Sequence, residues 1–138
     1  MDFCQKTIYL AGRILMALYF ILPGIMKITG FDGTADYMAA HGMVFIPFFL
    51  ILTIVIQVGG GLCLAVGYRV QLVSFVLAGL VLTISMVMHN FWTMETGLQK
   101  AHEMQNFIKN MAIMAGLLVL AGGQQTLSQA FPDRSPVA

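Results

Sequence analysis

The chain has 138 residues, of which 59% are hydrophobic and only 9% charged, and its mean hydropathy is +0.85. An ordinary soluble domain carries about 25% charged residues, so this composition names lipid as the solvent. A formal net charge of +1 excludes a nucleic-acid binder, which needs many Lys and Arg side chains against phosphates, and 15.1 kDa leaves room for one bundle and no second core.

A helix needs about 20 apolar residues to cross the hydrocarbon core. Four stretches qualify: Ile8–Ile28, Ile46–Val66, Val70–Phe91 and Phe107–Gly122. Lipid cannot satisfy an exposed backbone, and these unbroken runs lack the alternation of barrel strands. The expectation is an all-α membrane protein, an antiparallel four-transmembrane-helix bundle over residues 1–123 with a loosely ordered tail over 124–138. The opening MDFCQKTIYLAGRILMALYF differs from a cleaved secretion signal, because Arg13 lies within its apolar run and no small-x-small site follows. It reads as a retained first span.

In that span Arg13 and Lys27 lie about 40° apart around the helix and roughly 21 Å apart along it, so they share a face. Gly24 lies on the same stripe, and Pro23 frees a carbonyl in the outer turn. Either cation can snorkel to an interface or face the bundle interior. The first loop, TGFDGTADYMAAHGMVF, predicts a short interfacial helix capped by Asp32 or Thr34 and ended by Gly42. Tyr37 and Met38 are expected to face the membrane and Asp36 the water. In the second span, Thr53, Gln57, Gly60 and Gly61 fall on one face, where small residues permit close helix approach. Gln57 there is glue between helices or a ligand contact. The turn Gly67-Tyr68-Arg69 makes the second and third spans antiparallel neighbours.

The third span ends in VMHNFWTM, which sets His89 and Asn90 beside the chain's only tryptophan, Trp92, a residue favoured at membrane interfaces. A polar link, WTMETGLQKAHEMQN, carries Glu95, Lys100, His102 and Glu103. The fourth span opens on a stripe of Asn106, Lys109 and Asn110 at helical spacing. With an even number of spans, Lys6, Arg13, Arg69 and Arg134 share one side and Lys27, Lys100 and Lys109 the other. That balance orients a bacterial inner-membrane protein N-in and C-in.

This topology gathers His89, Asn90, Trp92, Asn106, Lys109, Asn110 and Lys27 at one end of the bundle, with His41 and His102 nearby; Arg13 and Gln57 are the other polar groups at membrane depth. Imidazoles and fixed cations in an apolar mouth suit an amphipathic ligand bearing a carbonyl or negative charge, such as a quinone, a lipid headgroup or a carboxylate. His89 and Lys109 would bond its oxygens, Asn90 and Asn110 position it, Trp92 line the entrance and Lys27 supply charge. The plainer reading is a set of interfacial residues touching headgroups. No catalytic residue is identified. Cys4 and Cys63 form no C-x-x-C, and no phosphate loop, nucleophile elbow or H-E-x-x-H occurs. With only His89 inside a span, paired haem ligation is disfavoured. The eleven methionines suit adaptable packing better than a copper site, so no metal and no covalent cofactor is expected.

Several stretches, taken in order, resemble the DoxX family of small four-span bacterial membrane proteins: Gly12-Arg13, GIMKITGF at 24–31, Tyr37 and Gly42, GGGLCLAVGYR at 59–69, HNFW at 89–92 and NFIKNMAIMAGLLVLAGG at 106–123. One departure is Gln57, where members often carry a glutamate; an ionic pair with Arg13 cannot form there. The resemblance implies a single-domain polytopic inner-membrane protein. The family takes its name from a thiosulfate:quinone oxidoreductase subunit, and some members are associated with redox complexes. The expectation is therefore an auxiliary subunit, not an enzyme on its own, that binds a quinone or similar ligand in support of a redox partner protein. A scaffold without a small ligand is the alternative, and a small transporter ranks last. Membrane lipids are expected partners, and a homo-oligomer is compatible with the sequence.

Overall fold

The computed structural model describes residues 3–130, with side chains as far as residue 123. The elements are α1 (Phe3–Thr29), α2 (Phe31–Ala40), α3 (Ile46–Val66), α4 (Val70–Met88), a single 3-10 turn at Phe91–Thr93, and α5 (Leu98–Ala130). α1, α3, α4 and α5 are the four helices long and apolar enough to cross a membrane. The expected four-span bundle is thus present, with α2 as the short helix of the first loop. Residues 131–138 of the expected tail lie outside the described residues.

The bundle is two closely packed pairs, α1 along α3 and α4 along α5, with α3 and α4 meeting more lightly. Glycine sets the first pairing. A Cβ at Gly61 would stand 2.6 Å from Ile21 Cγ1 and 2.9 Å from the Ala17 carbonyl oxygen, and one at Gly24 would stand 2.6 Å from Val58 Cγ2. Without a hydrophobic force between helices in lipid, such close backbone approach supplies the dispersion contact that holds them. Gly60 turns instead toward Leu77 of α4. The GGG run therefore serves two neighbours at once.

Two apolar clusters result. Ala17, Phe20, Leu64, Val70, Leu77, Ala78, Val81 and Leu117 fill the half near the α3–α4 turn, and Met38, Leu50 and Met88 close the other end. Large apolar side chains such as Leu15, Val55, Phe75 and Val119 are exposed, as a surface solvated by acyl chains requires. At the turn, Gly67 (φ 80°) and Arg69 (φ 43°) take left-handed conformations, and the N–H of Tyr68 donates to the Cys63 carbonyl at 2.8 Å. The half-buried Arg13 reaches this end: its Nη2 makes a long 3.5 Å hydrogen bond to the Ala65 carbonyl, and its guanidinium lies 5.8 Å from the Tyr9 ring centroid. A cation at the carbonyl end of α3 is favoured by the helix dipole.

Three expectations change. α2 begins after Gly30 with no side-chain cap; Asp32 and Thr34 sit inside the helix, and the Thr34 hydroxyl donates to the Gly30 carbonyl. Met38 does not face the membrane but is 6% exposed against Leu50 and Met88, and the Tyr37 hydroxyl reaches Glu103. α2 folds over the bundle mouth, where apolar side chains receive Met38 and a carboxylate receives the Tyr37 hydroxyl. Finally, α5 starts at Leu98, nine residues before the expected Phe107. Its first turns are too polar for a hydropathy reading because their inward face pairs with other helices.

Candidate functional site

Between the helix pairs, under α2, lies a cavity of about 870 Å³. Its wall is mainly apolar, with Leu50, Ile56, Leu80, Ile84 and Met88 among its residues. Phe49 and Leu52 of α3 and Val76 and Val87 of α4 also line it, and all four are exposed, so the cavity opens sideways between α3 and α4. That side is the lipid face of a membrane-spanning bundle.

Its polar groups sit at two depths. Gln57 is eleven residues into α3, roughly 16 Å from its start, and Tyr19 lies at a similar depth in α1, where its hydroxyl donates to Asn110 Oδ1 at 3.2 Å. Gln57 is 6% exposed, and its Oε1 is fully buried with no hydrogen-bond partner among the described residues. An unsatisfied buried amide oxygen costs about 1–3 kcal/mol. Lys27 and His89 line the same cavity near the α2 end.

His89 is held from behind. Its Nδ1 lies 2.6 Å from Oε2 of Glu103, which is only 7% exposed, while the Tyr37 hydroxyl donates to Oε1 at 3.0 Å and the Asn106 side chain also bonds to this carboxylate. A carboxylate only accepts, so Nδ1 carries the hydrogen and Nε2 is the open nitrogen. Burial, then the hydrogen bond to Glu103 and its charge, push the Tyr37 phenol up to about 12. It remains a donor throughout the physiological range. The Tyr37 ring also lies 4.4 Å from that of His41, whose Nδ1 is 2.9 Å from the Tyr37 carbonyl.

The DoxX family model matches residues 8–90. The chain belongs to the DoxX family. It is 32% identical over 117 residues to inner membrane protein YphA of Escherichia coli (strain K12), covering 85% of this chain and 83% of that protein. It is 37% identical over 114 residues to inner membrane protein YqjF of the same organism, covering 81% and 80%. No solved structure matches. The protein is a multi-pass bacterial inner-membrane protein of this family.

Of the residues singled out from the sequence of this DoxX-family chain, Lys27, His89, Asn110 and Gln57 line one cavity, and Asn106 joins them through Glu103. Asn90, Trp92 and Lys109 do not line it. Trp92 is half-exposed with its ring edge-on to Phe107 at 5.7 Å, Lys109 is exposed, and the buried Asn90 Oδ1 has no partner among the described residues. Arg13 stands at the opposite end, on the α3 terminus. The sequence reading missed Glu103, Tyr37 and Tyr19 as parts of the site. The signal available was Glu103 itself, one helical turn before Phe107 and on the same face as Asn106 and Asn110.

Proposed function

We propose that this DoxX-family protein takes an amphipathic, oxygen-bearing ligand of the quinone class from the bilayer into the cavity between its helix pairs, and acts as an auxiliary subunit to a redox partner in the membrane. The observation that carries the reading is Gln57. A side chain 6% exposed, with no partner for its amide oxygen among the described residues, lines a largely apolar cavity that opens toward lipid. Ligand sites have this composition: mostly apolar walls with a few fixed polar groups, in a volume of about 300–1,000 Å³. The quinone class fits because the polar groups are concentrated at two depths, Gln57 and Asn110 below and Lys27 and His89 above, while the wall between them is mainly apolar, broken by Thr53 and Thr83. We further propose that the chain lies N-in and C-in, with Lys6, Arg13 and Arg69 at the cytoplasmic end and the cavity toward the outer half.

The test is a mass-spectrometric inventory of the small molecules retained by the protein extracted from its membrane into nanodiscs. Wild type is expected to retain a quinone or quinol above its abundance in the surrounding lipid, and the cavity-filling variant Leu80→Trp to lose it. Equal ligand content in both proteins, or none above the lipid background, refutes the reading. Chemical crosslinking in the same membranes is expected to capture a flavin, haem or iron–sulfur protein; capture of none refutes the auxiliary role.

A further inference from the structure

We propose that the His89–Glu103 pair is a proton acceptor for the cavity's ligand, and that the site selects acidic hydroxyl compounds with an apolar tail and holds them as oxyanions. This rests on the cavity being a ligand site and adds the chemical class of the ligand and the step it undergoes.

The geometry is that of an oriented base. Glu103 occupies His89 Nδ1 at 2.6 Å and is itself fixed by the Tyr37 hydroxyl at 3.0 Å. Nε2 makes no hydrogen bond among the described residues, while His89 lines the cavity. A carboxylate behind an imidazole selects the tautomer whose outer nitrogen has a free lone pair, and it stabilises the imidazolium formed when that nitrogen is protonated. A helix-capping histidine requires none of this, and a buried carboxylate bound by three other side chains is a costly way to anchor a helix end.

The surroundings favour charge separation in one direction. From α1, Lys27 brings a cation to the same cavity wall. From α2 come Tyr37 and His41, and from α5 come Glu103, Asn106 and Asn110; α3 faces the cavity with Thr53 and Gln57, which do not titrate. His102 and Lys109 are exposed on other faces of α5. An oxyanion would therefore meet Lys27 and a His89 imidazolium, while the only carboxylate in the group sits behind the imidazole.

The transfer breaks the ligand's O–H bond and forms N–H at His89 Nε2; the electron pair stays on the ligand oxygen, and nothing is oxidised or reduced. The ligand's own acidity narrows the class. A simple phenol ionises near about 10 and keeps its proton at neutral pH. Hydroxyls acidified by a conjugated carbonyl or nitro group release it far more readily, which points to hydroxyquinones and related enols and phenols.

The test uses the full-length protein in neutral phospholipid nanodiscs with two probes, decyl-substituted 4-nitrophenol and its methyl ether. The phenol is expected to bind about tenfold more tightly than the ether, and its phenolate band to appear about one pH unit lower than in empty nanodiscs. His89→Phe should abolish both differences while still binding the ether, which also reports that the variant is folded; Glu103→Gln should move the band to higher pH. If His89→Phe does not fold, the wild-type comparison of phenol with ether decides alone. Equal affinities, or a phenolate band that titrates as in empty nanodiscs, overturn the proton-acceptor role and leave the cavity reading standing. Failure of both probes to bind overturns the cavity reading and this proposal together.

Discussion

The run Gly59-Gly60-Gly61 allows helix packing to be tested with a single type of substitution, Gly→Ala, at three adjacent positions. A methyl at Gly61 would lie 2.6 Å from Ile21 Cγ1 and 2.9 Å from the Ala17 carbonyl oxygen. The second atom is backbone, so α1 itself must retreat by somewhat under an ångström to restore ordinary contact. Overpacking of this kind costs about 1–3 kcal/mol, and a gap of that size along the rest of the seam forfeits a quarter to a half of each dispersion contact. Alanine's better helix propensity returns up to about 1 kcal/mol, leaving an expected net loss of about 2 kcal/mol for Gly61→Ala. At Gly60 the nearest atom is Leu77 Cδ2 at 3.0 Å, the end of a flexible side chain, and the net effect should be close to zero. At Gly59 nothing lies within 4 Å, and a gain of up to about 1 kcal/mol is expected. Steric-trapping measurements of unfolding in bicelles resolve these differences. Equal effects at the three positions, or a neutral Gly61→Ala, would refute the close α1–α3 contact.

Three further outcomes follow from the polar groups. Glu103→Gln and His89→Gln should each destabilise by about 1–3 kcal/mol, and the double variant by clearly less than their sum; an additive double-mutant cycle contradicts the pairing. Gln57→Leu replaces a buried amide whose oxygen has no partner among the described residues with an apolar group of similar size, so stability should rise by about 1–3 kcal/mol while retained ligand falls; a stability loss would mean that the amide bonds another helix. Tyr37 binds its proton more tightly in the folded protein, so the stability it contributes is fully present below its ordinary value of 10.0 and is lost as pH rises to about 12. Thermal melts of wild type and Tyr37→Phe through that window should therefore converge with rising pH, and a constant gap refutes the Glu103 contact.

Most of the fold is legible in the sequence because transfer into lipid is local and additive. The ends of α3 coincide with the apolar run Ile46–Val66, and the Gly67-Tyr68-Arg69 turn follows from a positive-φ glycine between two such runs. The shared face of Thr53, Gln57, Gly60 and Gly61 is likewise a property of one helix, readable from its period. Each of these depends on residues close together in the chain.

The site depends on residues far apart. Tyr37 and Glu103 are separated by 66 positions, and neither carries a local signal for the other; Glu103 looks like a solvated loop residue until α5 is extended back to Leu98 and α2 is laid across the mouth. Sequence by itself determined the solvent, the spans and the family, because each residue's preference for lipid or for helix is spent where it stands. Only the tertiary structure decided which buried polar groups find partners: Glu103 takes His89, Tyr37 and Asn106, and the Gln57 amide oxygen takes none among the described residues. Hydrogen bonding is short-ranged and directional, so satisfaction is a property of the packed bundle and not of any one helix.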